Sequence, residues 1–287
     1  MNHVAIDRAL DAWLGLRFPS APTAFFLAEF ARDRDDAYCH RCGATFGVGE
    51  VNRMSTRGAQ LPCASCRTKP RSADMIVRVG EYNRHLREWI TAGKYHRWTD
   101  MLESLGDELG KAVAHRLQML PARQNLRKTQ AHSDAQHIDN VIVTPVPMPW
   151  ARRVARGVDH ARVLAEHVGR QLGKTAEVVP MLRKQPGLPQ VALDGAARRA
   201  RRPVGWIQPA RRAKKWRLDG MTVVLVDDVL TSGTTLQAAG GVLRGMGATR
   251  IIAAVVAVTR ADGRRSQDEQ ANPHEATPVC EWRGGQA

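Results

Sequence analysis

Val223-Val-Leu-Val-Asp227-Asp228-Val-Leu-Thr231-Ser232-Gly233-Thr234-Thr235 reads as a buried strand, an acidic pair, and a hydroxyl-rich turn that leads into a helix. Apolar residues without polar alternation suit a strand covered on both faces, as in a parallel sheet. Two carboxylates at its carboxyl end stand where open α/β sheets place their ligands. A sugar with vicinal hydroxyls presents two donors close together, and adjacent carboxylates can hold both with charge-assisted hydrogen bonds. The hydroxyls of Thr231, Ser232, Thr234 and Thr235 and the missing Cβ of Gly233 then make room and partners for an anion, completed by the N–H groups of the following helix. The lysine of the G-K-[ST] phosphate loop is absent, and no G-x-G-x-x-G follows the strand. A surface turn capped by Asp and Thr would account for any one of these residues, but not for their combination.

Outward from this stretch the pattern continues as α/β. Residues 222–226, a helix over about 234–246 and residues 251–258 form a βαβ unit. Upstream, residues 75–79 resemble a short strand. Helical spacing follows through Tyr82, Leu86, Trp89 and Ile90, and again over 101–117. Residues 121–136 are polar and loop-like. The apolar run 141–146 stops in a proline-rich segment and precedes a helical pattern through Val158, Leu164, Val168 and Leu172, then a short strand at 177–179.

The chain has 287 residues, a net charge of +15 and only 5% aromatic residues, so its core is expected to be built from Ala, Val and Leu. Excess positive charge calls for a polyanionic partner: nucleic acid, an acidic membrane or a multiply phosphorylated small molecule. That charge is local. Residues 183–217 hold eleven Lys or Arg against one Asp, contain four prolines and lack sustained periodicity, so they read as a long mobile loop. No secretory signal is expected, because Asp7 and Asp11 precede the early apolar residues and Arg17 and Pro19 interrupt them. No segment approaches the length of a membrane span.

Cys39-x-x-Cys42 and Cys63-x-x-Cys66 are spaced for two knuckles around one tetrahedral Zn²⁺. Four thiolates leave no open position, so the zinc is read as structural, and its binding energy replaces the core that residues 37–70 are too poor in apolar groups to build. Paired thiolates also point to a reducing, cytoplasmic location. His40 is expected to be exposed rather than a ligand, and Cys280 to be a lone thiol in a polar tail. Arg53, Arg57, Arg67, Lys69 and Arg71 lean towards nucleic-acid contact by the ribbon.

The strand, Asp-Asp, Thr-x-Gly-x-Thr sequence resembles the phosphoribosyl pyrophosphate motif of type I phosphoribosyltransferases. That resemblance implies a parallel sheet of about five strands flanked by helices. It also implies that Asp227 and Asp228 hold ribose hydroxyls, while Thr231, Gly233, Thr234 and Thr235 hold the 5-phosphate, a set to which the loop's hydroxyl chemistry adds Ser232. The wider pattern is similar to the ComF competence family over roughly residues 37–260. The shared features are the paired cysteines, Lys94-Tyr95, Val146-Pro147 followed by Arg153, Arg156 and Gly157, and residues 190–202 before the acidic strand. Where that family is expected to read Arg-Gly-Phe-Asn-Gln, this chain reads Arg156-Gly157-Val158-Asp159-His160, a departure on the acceptor side.

The expected organisation is a helical N-terminal extension at 1–36, a four-cysteine zinc ribbon at 37–72, the phosphoribosyltransferase-like domain at 75–262 and a flexible tail at 263–287. The resemblance implies exchange of pyrophosphate at the anomeric carbon for a nitrogen nucleophile, with Mg²⁺, Arg153 and Arg156 stabilising the departing charge. Arg198, Arg199 and Arg202 are candidates for a basic hood closing over the site. Two other readings stand beside the enzyme. One is a non-catalytic factor that senses phosphoribosyl metabolites and binds single-stranded DNA with the DNA-uptake machinery, and the other is a purely structural zinc-ribbon module.

Overall fold

A computed structural model describes residues 32–46, 63, 66, 73–95, 99–120, 141–149, 153, 157–185 and 206–259. Among these, the order of elements is β1 (Met75–Glu81), α1 (Arg84–Tyr95), α2 (Thr99–Gln118), β2 (Val141–Pro145), α3 (His160–Leu172), β3 (Ala176–Val178), β4 (Leu182–Lys184), β5 (Ile207–Pro209), β6 (Thr222–Leu230), α4 (Thr234–Gly245) and β7 (Arg250–Val258). Five strands form one parallel sheet in the order β1-β7-β6-β2-β3. This is the α/β fold that the uninterrupted apolar runs imply.

Alternation along the strands divides the core into two layers. Val223 and Leu225 of β6 and Ile251, Ala253 and Val255 of β7 pack with Leu236, Ala239 and Leu243 of α4. Val224, Val226, Ile252 and Ala254 face the other way, against Leu105 and Leu109 of α2 and Leu164 and Val168 of α3. Residues 251–258 of β7 are buried throughout. Each fully buried Val or Ile contributes roughly 1.5–3 kcal/mol relative to exposure, which is why a run with no polar face belongs between two helical layers.

The direction in which successive connections step across the sheet reverses between β2 and β6. From β2 the chain passes through α3 on one face to β3 at the sheet edge, whereas β6 passes through α4 on the opposite face to β7. Neighbouring parallel strands whose crossovers leave in opposite directions open a crevice at their carboxyl ends. The acidic pair sits at the carboxyl end of β6.

At the other sheet edge, the cysteine segment covers β1. Asp33 N–H donates to the Val79 carbonyl (2.8 Å), Ile76 N–H to the His40 carbonyl (2.6 Å) and Arg78 N–H to the Tyr38 hydroxyl (3.4 Å). An edge strand with unpaired N–H and C=O groups invites aggregation, so these contacts both dock the segment and close the edge. Arg78 is the centre of the docking. Its guanidinium donates to the Gly43 carbonyl, the Asp33 carboxylate and the Thr45 hydroxyl, and lies over the Tyr38 ring. Burial pushes the Tyr38 phenol up to about 12, so it stays a neutral partner for that cation.

Three expectations are corrected. The basic stretch at 183–217 is not a loop from end to end, because Leu182–Lys184 and Ile207–Pro209 pair antiparallel and carry Leu182 and Ile207 into the α4 layer. Apolar residues at its two ends, too few for a periodic signal, find each other across the intervening segment. Second, His40 is buried rather than exposed: Nε2–H donates to the Asp35 carbonyl (2.7 Å), and burial, with Arg116 nearby, lowers its pKa. Third, Val158 precedes α3 instead of belonging to it, since the Asp159 side chain accepts from Arg162 N–H and starts the helix. Of the expected N-terminal extension only residues 32–36 are described, with a turn at Asp35 and Asp36. The rest of it, and the expected tail at 263–287, lie outside the described residues.

Candidate functional site

Strand β2 ends level with Val226, where Pro145 is its register partner and Val146 N–H donates to the Val226 carbonyl (2.8 Å). Strand β6 continues four residues further, paired only with β7 through Asp227↔Val255, Val229↔Ala257 and Leu230↔Val258. Asp227 and Asp228 therefore stand on the step where one wall of the crevice stops. Both are half-buried.

The pleat is broken at the acidic pair. Val226 and Val229 pack into the same layer although they are three residues apart, and on β7 the adjacent Val256 and Ala257 share that layer too. Strict alternation would send neighbouring side chains to opposite faces. A break at this point frees Asp227 and Asp228 from that rule. The Asp228 N–H donates to Asp227 Oδ1 (2.9 Å), which fixes one carboxylate against its neighbour's backbone.

Beyond Leu230 the chain turns through the exposed Thr231 and Ser232, and Ser232 Oγ lies 2.9 Å from Thr234 Oγ1. Gly233 is the N-cap of α4 with φ 72°, a left-handed conformation that costs glycine nothing and other residues strain. No side chain caps α4, so its first N–H groups remain directed at the turn. Such an N-terminus favours negative charge. The turn contains no lysine, so its attraction for an anion comes from N–H groups, hydroxyls and the helix dipole.

The paired strands β4 and β5 adjoin the same end of the sheet. Met181 N–H donates to the buried Thr144 hydroxyl of β2 (3.0 Å), Ala210 N–H to the Met181 carbonyl (2.8 Å) and Gln185 N–H to the Trp206 carbonyl (2.9 Å). The base of this strand pair, at Met181 and Ala210, thus lies beside β2's carboxyl end, and the segment between residues 185 and 206 joins its far end. Arg198, Arg199 and Arg202 belong to it and lie outside the described residues, as does Arg156.

Arg153 is half-buried between β2 and α3, its N–H donating to the Pro149 carbonyl (3.1 Å). Its charge acts on Asp159, the residue at the departure from the expected family pattern. Burial raises the Asp159 pKa, opposed by the Arg162 N–H and by the Arg153 and Arg162 charges. A carboxyl whose folded pKa is raised is penalised above that pKa and unpenalised below its unfolded value, near 3.9. Asp159→Asn keeps a good N-cap and is expected to stabilise the fold at pH 7–8, with the gain fading as pH falls towards about 4. Urea unfolding across this range checks the sign; a variant less stable at pH 7 would contradict it.

The model of the phosphoribosyl transferase domain family matches residues 132–278, more than half of the chain. This protein belongs to that family. The match spans the strand, acidic pair and lysine-free turn just described. The chain is also similar to the purine phosphoribosyltransferase of Pyrococcus horikoshii, with 16% identity over 54% of this chain and 83% of that one, at a TM-score of 0.31. The protein TT1426 of Thermus thermophilus shares 20% identity over 58% of this chain and 87% of its own, at a TM-score of 0.28. Scores this low add nothing to the strand order. No curated protein matches the chain.

Upstream of the family match lies a second cluster. Cys39, Cys42, Cys63 and Cys66 bring one sulfur each to within 4.8 Å of the others. Cys39 and Cys66 Sγ are 3.9 Å apart and Cys42 and Cys63 Sγ 3.6 Å. Sulfurs at ~2.3 Å from a tetrahedral zinc would be separated by about 3.8 Å, so the donor set fits a metal such as zinc. The hydrogen bond from Cys42 draws the Cys39 thiol down to about 4, while that same contact pushes Cys42 up and burial pushes Cys66 up to about 12. The Cys39 thiolate forms readily, while Cys42 and Cys66 keep their protons until a cation displaces them. Phe46 joins Cys39 and Cys66 as the buried apolar residues of this cluster. Arg53, Arg57, Arg67, Lys69, Arg71 and Cys280 lie outside the described residues.

The latch around Arg78 escapes inspection of the sequence: a lone Arg inside an apolar strand signals only an interruption. Among the described residues no helix is long and apolar enough to cross a membrane.

Proposed function

We propose that this member of the phosphoribosyl transferase domain family binds phosphoribosyl pyrophosphate as its Mg²⁺ complex and transfers the phosphoribosyl group to a nitrogen acceptor. The bond from the anomeric carbon to the pyrophosphate oxygen breaks, a carbon–nitrogen bond forms, and pyrophosphate leaves with the bonding electrons while the acceptor nitrogen gives up a proton. The observation that carries the reading is the acidic pair on the step between β6 and β2, joined directly to a lysine-free turn with a left-handed glycine at a helix N-terminus.

Each part has a separate task. Asp227 and Asp228 accept from the ribose hydroxyls, and residues 231–235 hold the 5-phosphate. Arg153 and Arg156 are assigned to the leaving group, where fixed cations stabilise developing charge. Arg198, Arg199 and Arg202, carried on the segment that β4 and β5 anchor, close over the crevice and exclude water. Among the described residues the cluster of possible metal ligands is the cysteine set. Magnesium commonly arrives held by substrate phosphates, and that mode fits the crevice. Bound there, the ion neutralises charge on the departing pyrophosphate. The cysteine cluster is assigned a structural zinc, and its thiolates suit a reducing cytoplasm.

Calorimetric titration of the full chain with phosphoribosyl pyrophosphate and Mg²⁺ tests binding, and pyrophosphate release with a panel of amines tests turnover. Saturable binding is expected, and a flat titration would remove the proposal. A second reading has its own observation. Arg211, Arg212, Lys214, Lys215 and Arg217 are exposed, and none forms an ion pair among the described residues. Unneutralised cations fit a non-catalytic role in which the domain senses the metabolite while engaging single-stranded DNA. Metabolite binding without turnover, together with DNA binding that weakens steeply with salt, would favour it.

A further inference from the structure

We infer that the cysteine knuckle positions the phosphate loop, so that zinc at the four cysteines and phosphoribosyl pyrophosphate at residues 231–235 strengthen each other's binding. The inference rests on the proposed ligand of that loop and adds a coupling between two separate sites.

The connection is short and made of named contacts. Gly43 directly follows the ligand Cys42, and its N–H donates to the carbonyl of the ligand Cys39 (2.7 Å). It has φ +77°, and a Cβ built on it would lie 2.8 Å from Val258 Cγ2 and 3.2 Å from Ile76 Cγ2. The knuckle backbone therefore rests directly on Val258, with the Gly43 carbonyl held by the Arg78 guanidinium. Val258 ends β7 and is the register partner of Leu230. The next residue, Thr259, donates its N–H to the Leu230 carbonyl (2.9 Å), and Tyr82 N–H donates to the Val258 carbonyl (2.9 Å). Leu230 is the residue before Thr231, where the phosphate loop begins.

The bistable element is the Gly43 turn, seated on Val258 or released from it. Its own apolar packing is slight, since the buried cluster there consists of Cys39, Phe46 and Cys66. Thiolates drawn onto one cation fix the knuckle on both sides of the turn, and without that cation its seating rests on the Arg78 guanidinium and the backbone contacts to β1 alone. Once it is released, Val258 loses a wall, its register partner Leu230 is held less firmly and the loop samples more conformations, which a phosphoribosyl ligand must then restrict at a cost. Linkage makes the effect reciprocal: a loop ordered by ligand holds Val258 where Gly43 needs it, and the metal binds more tightly.

The test begins from the zinc-loaded full chain, with zinc affinity measured by competition against a chromogenic chelator, with and without saturating phosphoribosyl pyrophosphate and excess Mg²⁺. The ligand is expected to tighten zinc binding on the order of tenfold, and calorimetry on the zinc-free chain should show the ligand bound more weakly by the same factor. Val258→Ala leaves the thiolates and the loop in place and removes the wall, so both ligands should bind with the coupling reduced to near unity. Gly43→Ala approaches the same contact from the knuckle side and should also uncouple. Chelation of zinc by free pyrophosphate groups would act equally on all three proteins, so it cannot imitate the difference. If the wild type binds phosphoribosyl pyrophosphate but shows the same zinc affinity with and without it, or if Val258→Ala keeps the full coupling, the inference is overturned while the phosphoribosyl reading stands. If the zinc-loaded wild type fails to bind the ligand at all, both fall.

Discussion

The Asp227→Asn, Asp228→Asn double variant is expected to lose measurable binding of phosphoribosyl pyrophosphate while unfolding at nearly the wild-type temperature. A hydrogen bond to a charged group contributes about 1.5–3 kcal/mol, so each carboxylate held against a ribose hydroxyl accounts for roughly ten- to hundredfold in affinity. Asn keeps the shape and one acceptor but removes the charge. Both residues are half-buried on the crevice step, so the folded state has little to lose. Asp228→Asn alone should weaken binding by about tenfold or more and should abolish pyrophosphate release if turnover occurs. Wild-type titrations from the double variant would show that the acidic pair faces something other than the ligand.

Arg78→Ala is expected to have the largest effect on stability. The side chain is 1% exposed, and its removal would leave the Asp33 carboxylate, the Gly43 carbonyl and the Thr45 hydroxyl without their shared donor. Breaking a buried ion pair from one side costs about 3–5 kcal/mol. Asp33 is partly open to water, which places the expectation near the lower end. A loss of about 3 kcal/mol corresponds to roughly 6–12 °C in Tm for a chain of this size, read by thermal unfolding of the zinc-loaded protein. The variant should also aggregate more readily, because the covered edge of β1 loosens. Unchanged unfolding would mean that the knuckle is held by its backbone contacts alone.

The two predictions concern residues of opposite legibility. Asp227 and Asp228 are visible because the demands on them are local: a strand ends, carboxylates follow, and a glycine turn opens a helix within nine residues. Local chemistry of this kind survives in any order of reading. Arg78 is invisible for the opposite reason, since its partners at positions 33, 38, 43 and 45 lie more than thirty residues away along the chain. The stem formed by β4 and β5 is likewise obscured, as three-residue strands separated by a basic segment leave no period to detect. His40 illustrates a third case. Its position between two cysteines suggests exposure, but docking of the knuckle against β1 buries it and uses its carbonyl.

From residue order alone came the parallel α/β class, the strand–acid–turn–helix unit and the four thiols spaced for one metal. Each depends on groups that are neighbours in the chain or repeat at the period of a helix or strand. Tertiary structure alone decided that β6 outruns β2 beside the acidic pair, that the knuckle closes the edge at β1, and that Gly43 rests on Val258 next to the phosphate loop. Those are contacts between segments far apart in sequence, selected by burial and by the need to pair every buried polar group, and no local pattern encodes them.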